Sequence, residues 1–217
     1  MHVLPVAPAL IFDVGGVILD WNPHYLFDEL IADPVKRTQF LTEVCPPAWN
    51  AELDRGQRLE TAVTERCRQY PDWARYIHAY QQHWVKMLGG MLPGMHQLLG
   101  ELADSGARLY GLTNWSAETF PIARAAFPIL DLFANTIVIS GEVGLTKPDP
   151  AIFHLALARF GLDPAECLFI DDNPANVSTA RHLGMPAVLF AGAQALCEHP
   201  GIARYLVTSA ASVSPAS

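Results

Sequence analysis

The chain has 217 residues, of which 51% are hydrophobic and 17% are charged, and its formal net charge is -8. This composition supplies a buried core and excludes an intrinsically disordered chain. The acidic balance argues against nucleic acid or an anionic membrane as the main partner, and no apolar run approaches the roughly 20 residues that span a bilayer.

The cysteines and the N-terminus indicate the compartment. The four cysteines form no Cys-x-x-Cys pair, and no basic segment precedes the first apolar residues. We therefore expect free thiols rather than disulfides or a zinc site. We also expect no signal peptide and a cytoplasmic location. The sequence does not indicate the oligomeric state.

The first predicted element is an apolar strand that begins at Ala9 and ends at the carboxylate of Asp13. Apolar runs bounded by glycine are typical of strands that are buried on both faces. Gly15 and Gly16 follow directly, and they allow the backbone to turn sharply and to approach a ligand. An acid at the carboxyl end of such a strand lies where open α/β sheets bind ligands. The simpler alternative is a turn with an N-capping aspartate.

The segment from residue 24 to residue 91 has a helical pattern. Apolar residues recur at helical spacing, for example over residues 59–70 and 73–88. Prolines interrupt the pattern at points where helices end. We predict an all-helical insertion of about four helices over residues 21–91, preceded by a short flap strand near residues 17–19. Residues 1–20 and 92–217 then form the core domain.

Strands and helices alternate after residue 92. The predicted strands cover residues 107–112, 136–140, 167–170 and 187–190, and the predicted helices cover residues 95–105, 117–126, 150–160 and 175–183. Strands that alternate with helices of about ten residues indicate right-handed crossovers and a parallel sheet. The predicted fold class is therefore α/β, and the last dozen residues resemble a surface tail.

Polar residues follow three of the predicted strands at the same edge of the sheet. They are Asp13, Thr113, Asn114, Asp171 and Asp172. Carboxylates crowded together repel one another by several kcal/mol unless they are compensated. A divalent cation and the loop residue Lys147 are the simplest compensation. Magnesium prefers oxygen ligands and is often held by one or two carboxylates together with substrate phosphate, so one acid would be free to attack phosphorus.

Four stretches of the chain resemble the ordered motifs of the haloacid dehalogenase-like hydrolase superfamily. They are Phe12-Asp13-Val14-Gly15-Gly16-Val17, Leu112-Thr113-Asn114, Lys147-Pro148-Asp149-Pro150 and Phe169-Ile170-Asp171-Asp172. The resemblance implies a Rossmann-like, three-layer, parallel-sheet core with an all-helical cap inserted after the first strand.

The resemblance also implies roles for individual residues. Asp13 is the expected nucleophile, which forms an aspartyl-phosphate, and Lys147 is expected to balance its charge. The expected phosphate-binding residues are Thr113, Asn114, Lys147, Gly15 and Gly16. The expected Mg²⁺ ligands are Asp13, the carbonyl of Gly15, Asp171 and Asp172. Asn176 is expected to orient the metal shell.

One position departs from the pattern of the family. Its phosphatases usually carry a second aspartate two positions after the nucleophile, which protonates the leaving oxygen and later activates water. Here that position is Gly15, and such acid–base help typically contributes about 10²–10⁴ in rate. Our first interpretation is that the substrate has an unusually good leaving group and needs less protonation, because the Asp-x-Gly opening resembles a subgroup that includes sugar 1-phosphate phosphatases. Alternatively, a residue of the flap or the cap supplies the proton, with Asp20 and His24 the nearest in sequence, or the chain is a weak phosphatase.

The predicted function is magnesium-dependent hydrolysis of a small phosphomonoester, a phosphorylated metabolite such as a sugar phosphate. His24 follows the flap, and we expect it to contact the substrate. One alternative is a 2-haloacid dehalogenase, which also lacks the second acid but needs no metal, so Asp171 and Asp172 favour phosphate over halide. The other alternative is a catalytically idle member that binds a phosphometabolite or a protein. The natural substrate is not readable, because the cap would select it.

Overall fold

A parallel β-sheet forms the centre of the molecule, for which a computed structural model describes residues 7–211. The strands are β1 (Ala9–Phe12), β2 (Leu19–Trp21), β3 (Leu88–Met91), β4 (Leu109–Thr113), β5 (Ile137–Ile139), β6 (Cys167–Asp171) and β7 (Ala187–Leu189). Five of them form one sheet in the order β5-β4-β1-β6-β7, and every pair in it is parallel. The central strand β1 therefore lies between β4 and β6, and the three strands end at one edge of the sheet.

Helices cover both faces of this sheet. The helices of the core are α6 (Met95–Asp104), α7 (Phe120–Ala126), α8 (Ser140–Val143), α9 (Pro150–Phe160), α10 (Pro174–His182), α11 (Ala193–Cys197) and α12 (Pro200–Ala211). Side chains alternate along β1, so Ala9 and Ile11 pack in the apolar cluster that contains residues of α9 and α10, whereas Leu10 and Phe12 pack in the one that contains residues of α6. The expected three-layer α/β fold class is confirmed.

The cap is inserted between the two strands of a small hairpin. Strands β2 and β3 pair in antiparallel fashion, and the chain leaves the core through β2 and returns through β3. The cap helices between them are α1 (His24–Leu30), α2 (Pro34–Gln39), α3 (Pro47–Asp54), α4 (Leu59–Gln69) and α5 (Ala74–Gln82). Residues of the cap, such as Phe40, and residues of the core, such as Phe12, belong to one continuous apolar cluster. The cap thus packs directly over the end of the sheet.

Three sequence predictions differ from the structure. The insertion holds five α-helices instead of about four. A π-helical turn over Phe40–Val44 directly continues α2, so the sequence pattern does not show where α2 ends. Strand β3 was not predicted, since its Gly89 and Gly90 interrupt the apolar pattern. The predicted C-terminal tail is wrong over residues 206–211, which belong to α12; residues 212–217 lie outside the described residues.

Two further observations concern the chain as a whole. Cys45, Cys67, Cys167 and Cys197 are all free thiols. Within residues 7–211, no helix combines the length and the hydropathy that a membrane span needs.

Candidate active site

Asp13 lies at the carboxyl end of β1, where the backbone of the chain turns. Its N–H continues the sheet by donating to the carbonyl of Ile170 at 2.9 Å, and its Oδ1 accepts from the N–H of Val14 at 2.7 Å. Gly16 has a φ of 74°, and a Cβ at that position would lie 2.2 Å from Oδ2 of Asp172. Glycine is therefore required at this turn both for its conformation and for its close approach to the Asp172 carboxylate.

Lys147 connects the carboxylates of two neighbouring strands. Its Nζ lies 2.9 Å from Oδ2 of Asp13 and 2.7 Å from Oδ2 of Asp171, and it also donates to the carbonyl of Leu112 at 2.8 Å. The ammonium side chain is completely buried. A buried ammonium that contacts two carboxylates and a carbonyl has all three of its donors satisfied.

Asn114 positions the loop that carries this lysine. Its Nδ2 donates to the carbonyl of Lys147 at 2.9 Å, and its Oδ1 accepts from the N–H of Lys147 at 2.8 Å. Both polar atoms of the amide thus hold backbone groups of the loop. The structure gives Asn114 a positioning contact, and its expected contact with phosphate stays a prediction.

Asp171 is fixed by donors from the helix that follows it. Its Oδ1 accepts from the N–H of Asn173 at 2.8 Å, and Nδ2 of Asn176 lies 3.0 Å from each of its two carboxylate oxygens. Proline at the first position of α10 leaves Asn173 free to cap that helix. Asn176 therefore orients a carboxylate that is expected to bind metal, in line with the role expected for it.

The three acids of this edge are close enough to share a cation. Asp13, Asp171 and Asp172 each offer a carboxylate oxygen, and these oxygens lie within 4.8 Å of one another. Asp13 and Asp171 are buried, whereas Asp172 is exposed. Three acids face one ammonium, so two negative charges remain uncompensated when all three are ionised. A hard divalent cation with oxygen ligands fits this donor set.

The hydroxyl of Thr113 lacks a hydrogen-bond partner in the described part of the chain, although the residue is fully buried. Thr113 follows Leu112, whose carbonyl binds the Lys147 ammonium. A buried hydroxyl without a partner is unusual, and it generally indicates a group that is satisfied by a ligand or a water.

Burial and charge act in opposite directions on the pKa values of this cluster. Burial raises the pKa of Asp13 to about 7; Lys147 opposes this rise and Asp171 adds to it. Burial alone would lower the pKa of Lys147, but the two carboxylates outweigh it and the net shift is upward. Burial and the neighbouring Asp171 also raise the pKa of Asp172. Lysine thus stays charged, and a bound cation would favour the ionised acids.

A cavity of about 180 Å³ separates this edge of the sheet from the cap. Its walls are formed by Gly15, Trp21, Asn50, Asp54, Trp84, Asn114, Trp115 and Thr119. Trp115 is 5% exposed, and its Nε1–H has no hydrogen-bond partner among the described residues. The cavity thus combines three tryptophans with the polar residues Asn50, Asp54, Asn114 and Thr119, and such a mixture of aromatic and polar groups is typical of sites for small molecules.

Asp54 is the functional candidate that the sequence did not reveal. It ends α3, and its Oδ2 accepts from Nδ2 of Asn50 at 3.0 Å. Burial raises the pKa of Asp54 to about 7, against smaller opposing effects of the Ser116 N–H and of Arg55. The preceding Asn50 and Leu53 give no local signal, because an acid at the end of a helix is usually solvated.

The two cap residues suggested by sequence lie elsewhere. The carboxylate of Asp20 accepts a hydrogen bond from the hydroxyl of Tyr25. His24 is about half exposed, lies 2.8 Å from Asp28, and borders a separate cavity of about 310 Å³ inside the cap. Neither residue lines the cavity that contains Gly15. The expected substrate contact of His24 stays a prediction.

Fold and site together define a class of protein, namely a Rossmann-like α/β protein with a helical cap over an acidic site at the carboxyl ends of its strands. Within that class, the chain belongs to the haloacid dehalogenase-like hydrolase family, whose model matches residues 7–184. The resemblance of the four motifs is thereby confirmed.

Individual relatives place the chain among hydrolases that include phosphatases. It is 30% identical over 185 residues to drimenol cyclase drtB of Aspergillus calidoustus, covering 84% of this chain but only 34% of that protein. It is 28% identical over 192 residues to sesquiterpene phosphatase astK of Aspergillus oryzae, covering 87% of this chain and 92% of the relative. A magnesium complex of the family enzyme bt-2542 from Bacteroides thetaiotaomicron has the same fold, with a TM-score of 0.70, 20% identity, and coverage of 88% of this chain and 98% of that one.

Proposed function

We propose that the protein hydrolyses a small phosphomonoester with magnesium, through an aspartyl-phosphate on Asp13. The observation that carries this proposal is the buried ammonium of Lys147 between Asp13 and Asp171. The unpartnered hydroxyl of Thr113, one residue after the carbonyl that binds the same ammonium, supports it. Together these groups form an anion-binding site next to a carboxylate that is positioned to attack.

Three residues of the site have defined tasks in this reaction. Asp13 attacks phosphorus with a carboxylate oxygen, and the bond to the leaving oxygen breaks. Lys147 keeps Asp13 ionised and oriented, and Thr113 donates its hydroxyl hydrogen to a phosphate oxygen. Water then attacks phosphorus and releases Asp13.

The carboxylates of Asp13, Asp171 and Asp172 and the carbonyl of Gly15 would hold the magnesium ion. When bound, the cation neutralises charge shared between the phosphate and these acids. The presence of Asp172 as a third acid, within 4.8 Å of the other two, favours this metal-dependent chemistry over a metal-free dehalogenase.

The cavity indicates the size and polarity of the substrate. A volume of about 180 Å³ admits a leaving group of metabolite size. Its three indoles provide flat apolar walls, and the unpartnered Nε1–H of Trp115 would donate to a substrate oxygen. These features support a small hydroxylated metabolite such as a sugar phosphate, and the net charge of -8 agrees with a small-molecule partner rather than nucleic acid.

The test is phosphate release by the purified chain from a panel of sugar 1-phosphates, sugar 6-phosphates and aryl phosphates. We expect turnover with Mg²⁺ and none in EDTA. Asp13→Asn should abolish turnover while circular dichroism shows an unchanged fold, because Lys147 keeps its contact with Asp171. Chloride release from 2-chloropropionate in EDTA would replace the proposal with a dehalogenase. Tight binding of a sugar phosphate without any turnover would replace it with an idle binding protein.

A further inference from the structure

A partly buried carboxyl group of the cap, that of Asp54, borders the space that Gly15 leaves open. A Cβ at Gly15 would have only one neighbour within 4 Å, the Cζ3 atom of Trp115 at 3.7 Å. The cavity in front of it is lined by Gly15 on the core side and by Asp54 on the cap side. A side chain projecting from Gly15 and the side chain of Asp54 would therefore share one cavity, although they belong to different domains.

Asp54 is held in place by neutral partners. Nδ2 of Asn50 donates to its carboxyl group at 3.0 Å, and the backbone N–H of Ser116 lies near enough to lower the pKa of that group. Asn50 is itself fixed by the hydroxyl of Tyr80, which donates to its Oδ1 at 2.7 Å. The backbone carbonyl of Asp54 accepts from Oγ of Ser140 in the core at 2.5 Å. These contacts fix the carboxyl group with respect to the core, on which the nucleophile lies.

The carboxyl group has no cation paired with it. Within the described residues, Asp54 forms no ion pair, since the neighbouring Arg55 binds Glu52 on the exposed side of α3. The pKa of about 7 that burial gives Asp54 leaves a proton on the group near neutral pH. It can thus both donate and accept a proton in the working range of an enzyme.

We propose that Asp54 is the general acid and base of this enzyme and takes the place of the aspartate that Gly15 lacks. The inference rests on the proposed phosphatase function. It assigns to a cap residue a task that the core leaves vacant, and it removes the need for an unusually good leaving group.

The proton balance is simple. When Asp13 attacks phosphorus and the bond to the leaving oxygen breaks, the proton of Asp54 passes to that oxygen and the alcohol departs. The Asp54 carboxylate then accepts a proton from the water that attacks the aspartyl-phosphate. The bond between phosphorus and Asp13 breaks, phosphate leaves, and Asp54 is protonated again for the next cycle.

The experiment compares kcat/KM for phenyl phosphate and 4-nitrophenyl phosphate, with Mg²⁺, in the wild type and in Asp54→Asn. Phenol is the poorer leaving group and needs the proton, whereas 4-nitrophenol leaves without it. We expect Asp54→Asn to lose about 10²–10⁴-fold on phenyl phosphate and less than about tenfold on 4-nitrophenyl phosphate. Because kcat/KM reports only the steps up to phosphorylation of Asp13, the later hydrolysis of the aspartyl-phosphate does not affect the comparison.

Two further variants complete the design. Glu52→Gln removes an exposed carboxylate from the same helix and should leave both values unchanged. Gly15→Asp combined with Asp54→Asn places an acid at the open core position, and it should recover part of the activity on phenyl phosphate. Equal losses on both substrates in Asp54→Asn would reduce Asp54 to a structural residue and overturn the inference.

If Asp54→Asn does not fold, the wild type alone provides the test. With a working acid, its kcat/KM should differ by no more than about tenfold between the two phosphates, whereas a steep preference for 4-nitrophenyl phosphate would overturn the inference and leave the phosphatase proposal standing. No turnover by the wild type of these two substrates or of any other phosphate in the panel would overturn both proposals.

Discussion

The site has two walls, the core side with Asp13, Lys147 and Asp171 and the cap side with Asp54, and they differ in what surrounds their carboxyl groups. On the core side, Asp13 and Asp171 share the ammonium of Lys147, at 2.9 Å and 2.7 Å. On the cap side, Asp54 receives hydrogen bonds from neutral donors and stays without a cation. The core side therefore compensates its carboxylates with a cation, whereas the cap side surrounds its carboxyl group with neutral groups, which suits the proton that we propose for it.

This difference explains why the two walls tolerate change differently. Loss of the lysine from the core side leaves two acids buried side by side, whereas loss of the acid from the cap side removes a charge that nothing compensates. The same kind of substitution, from a charged to a neutral side chain, should thus have opposite effects on stability in the two places.

Lys147→Met tests the core side and should give the largest effect. With the ammonium removed, Asp13 and Asp171 face each other without compensation, and breaking a buried pair in this way typically destabilises by about 3–5 kcal/mol. Phosphate release should fall to background. Urea unfolding at pH 8 in EDTA measures the free energy of unfolding. Lys86→Met is the matched control, because the pair that Lys86 forms with Glu29 is exposed and should contribute less than about 1 kcal/mol. A loss below about 1 kcal/mol for Lys147→Met would contradict the account of the core side.

Asp54→Asn tests the cap side through the pH dependence of stability. The pKa of Asp54 is raised from 3.8 to about 7 in the folded protein, so this group lowers the free energy of unfolding as the pH rises from about 4 to about 7 and keeps it low above that range. Asp54→Asn has no titrating carboxyl group at this position, so its free energy of unfolding does not fall for this reason. Relative to the wild type, it should gain roughly 2–4 kcal/mol between pH 4.5 and pH 8.

Urea unfolding of both proteins at the two pH values gives this difference directly. Glu52→Gln, on the exposed side of the same helix, should change by less than about 0.5 kcal/mol. If the stability difference between Asp54→Asn and the wild type did not depend on pH, the carboxyl group would be ionised in the folded protein throughout, and the contrast between the two walls would disappear.

The two walls also differ in how far the sequence predicts them. Asp13, Thr113 and Asp171 each end a buried parallel strand, so apolar runs and their ends suffice to bring them to one edge. The contacts of Lys147 follow from the charge of that edge. The amide of Asn114 also binds the lysine loop; this contact depends on the distance between two loops and has no local pattern, and the expected contact of Asn114 with phosphate stays a prediction.

The cap side could not be predicted in the same way. Asp54 reaches the cavity only because α3 packs against the core through the contact between its carbonyl and Ser140. Its neighbours Asn50 and Tyr80 come from two different helices of the cap. A helical pattern predicts which residues of one helix are apolar, but it contains no information on how five helices are arranged. Sequence proximity pointed to Asp20 and His24 instead, and neither of them lines the cavity.

Thr113→Val should give the smallest effect on stability and shows what a neutral group contributes to the core side. The hydroxyl of Thr113 is buried without a partner, so replacing it with a methyl group should leave the free energy of unfolding unchanged or raise it by up to about 1 kcal/mol. A hydrogen bond to a charged phosphate is worth about 1.5–3 kcal/mol, so kcat/KM should fall by roughly 10–150-fold. Steady-state phosphate release and urea unfolding measure the two quantities.

Thr136→Val, just before β5 at the opposite edge of the sheet, should change neither. Because Thr113 belongs to no ion pair, a loss of activity without a loss of stability would separate phosphate binding from the charge balance of Asp13, Lys147 and Asp171, whereas a loss of both would mean that the hydroxyl supports the fold.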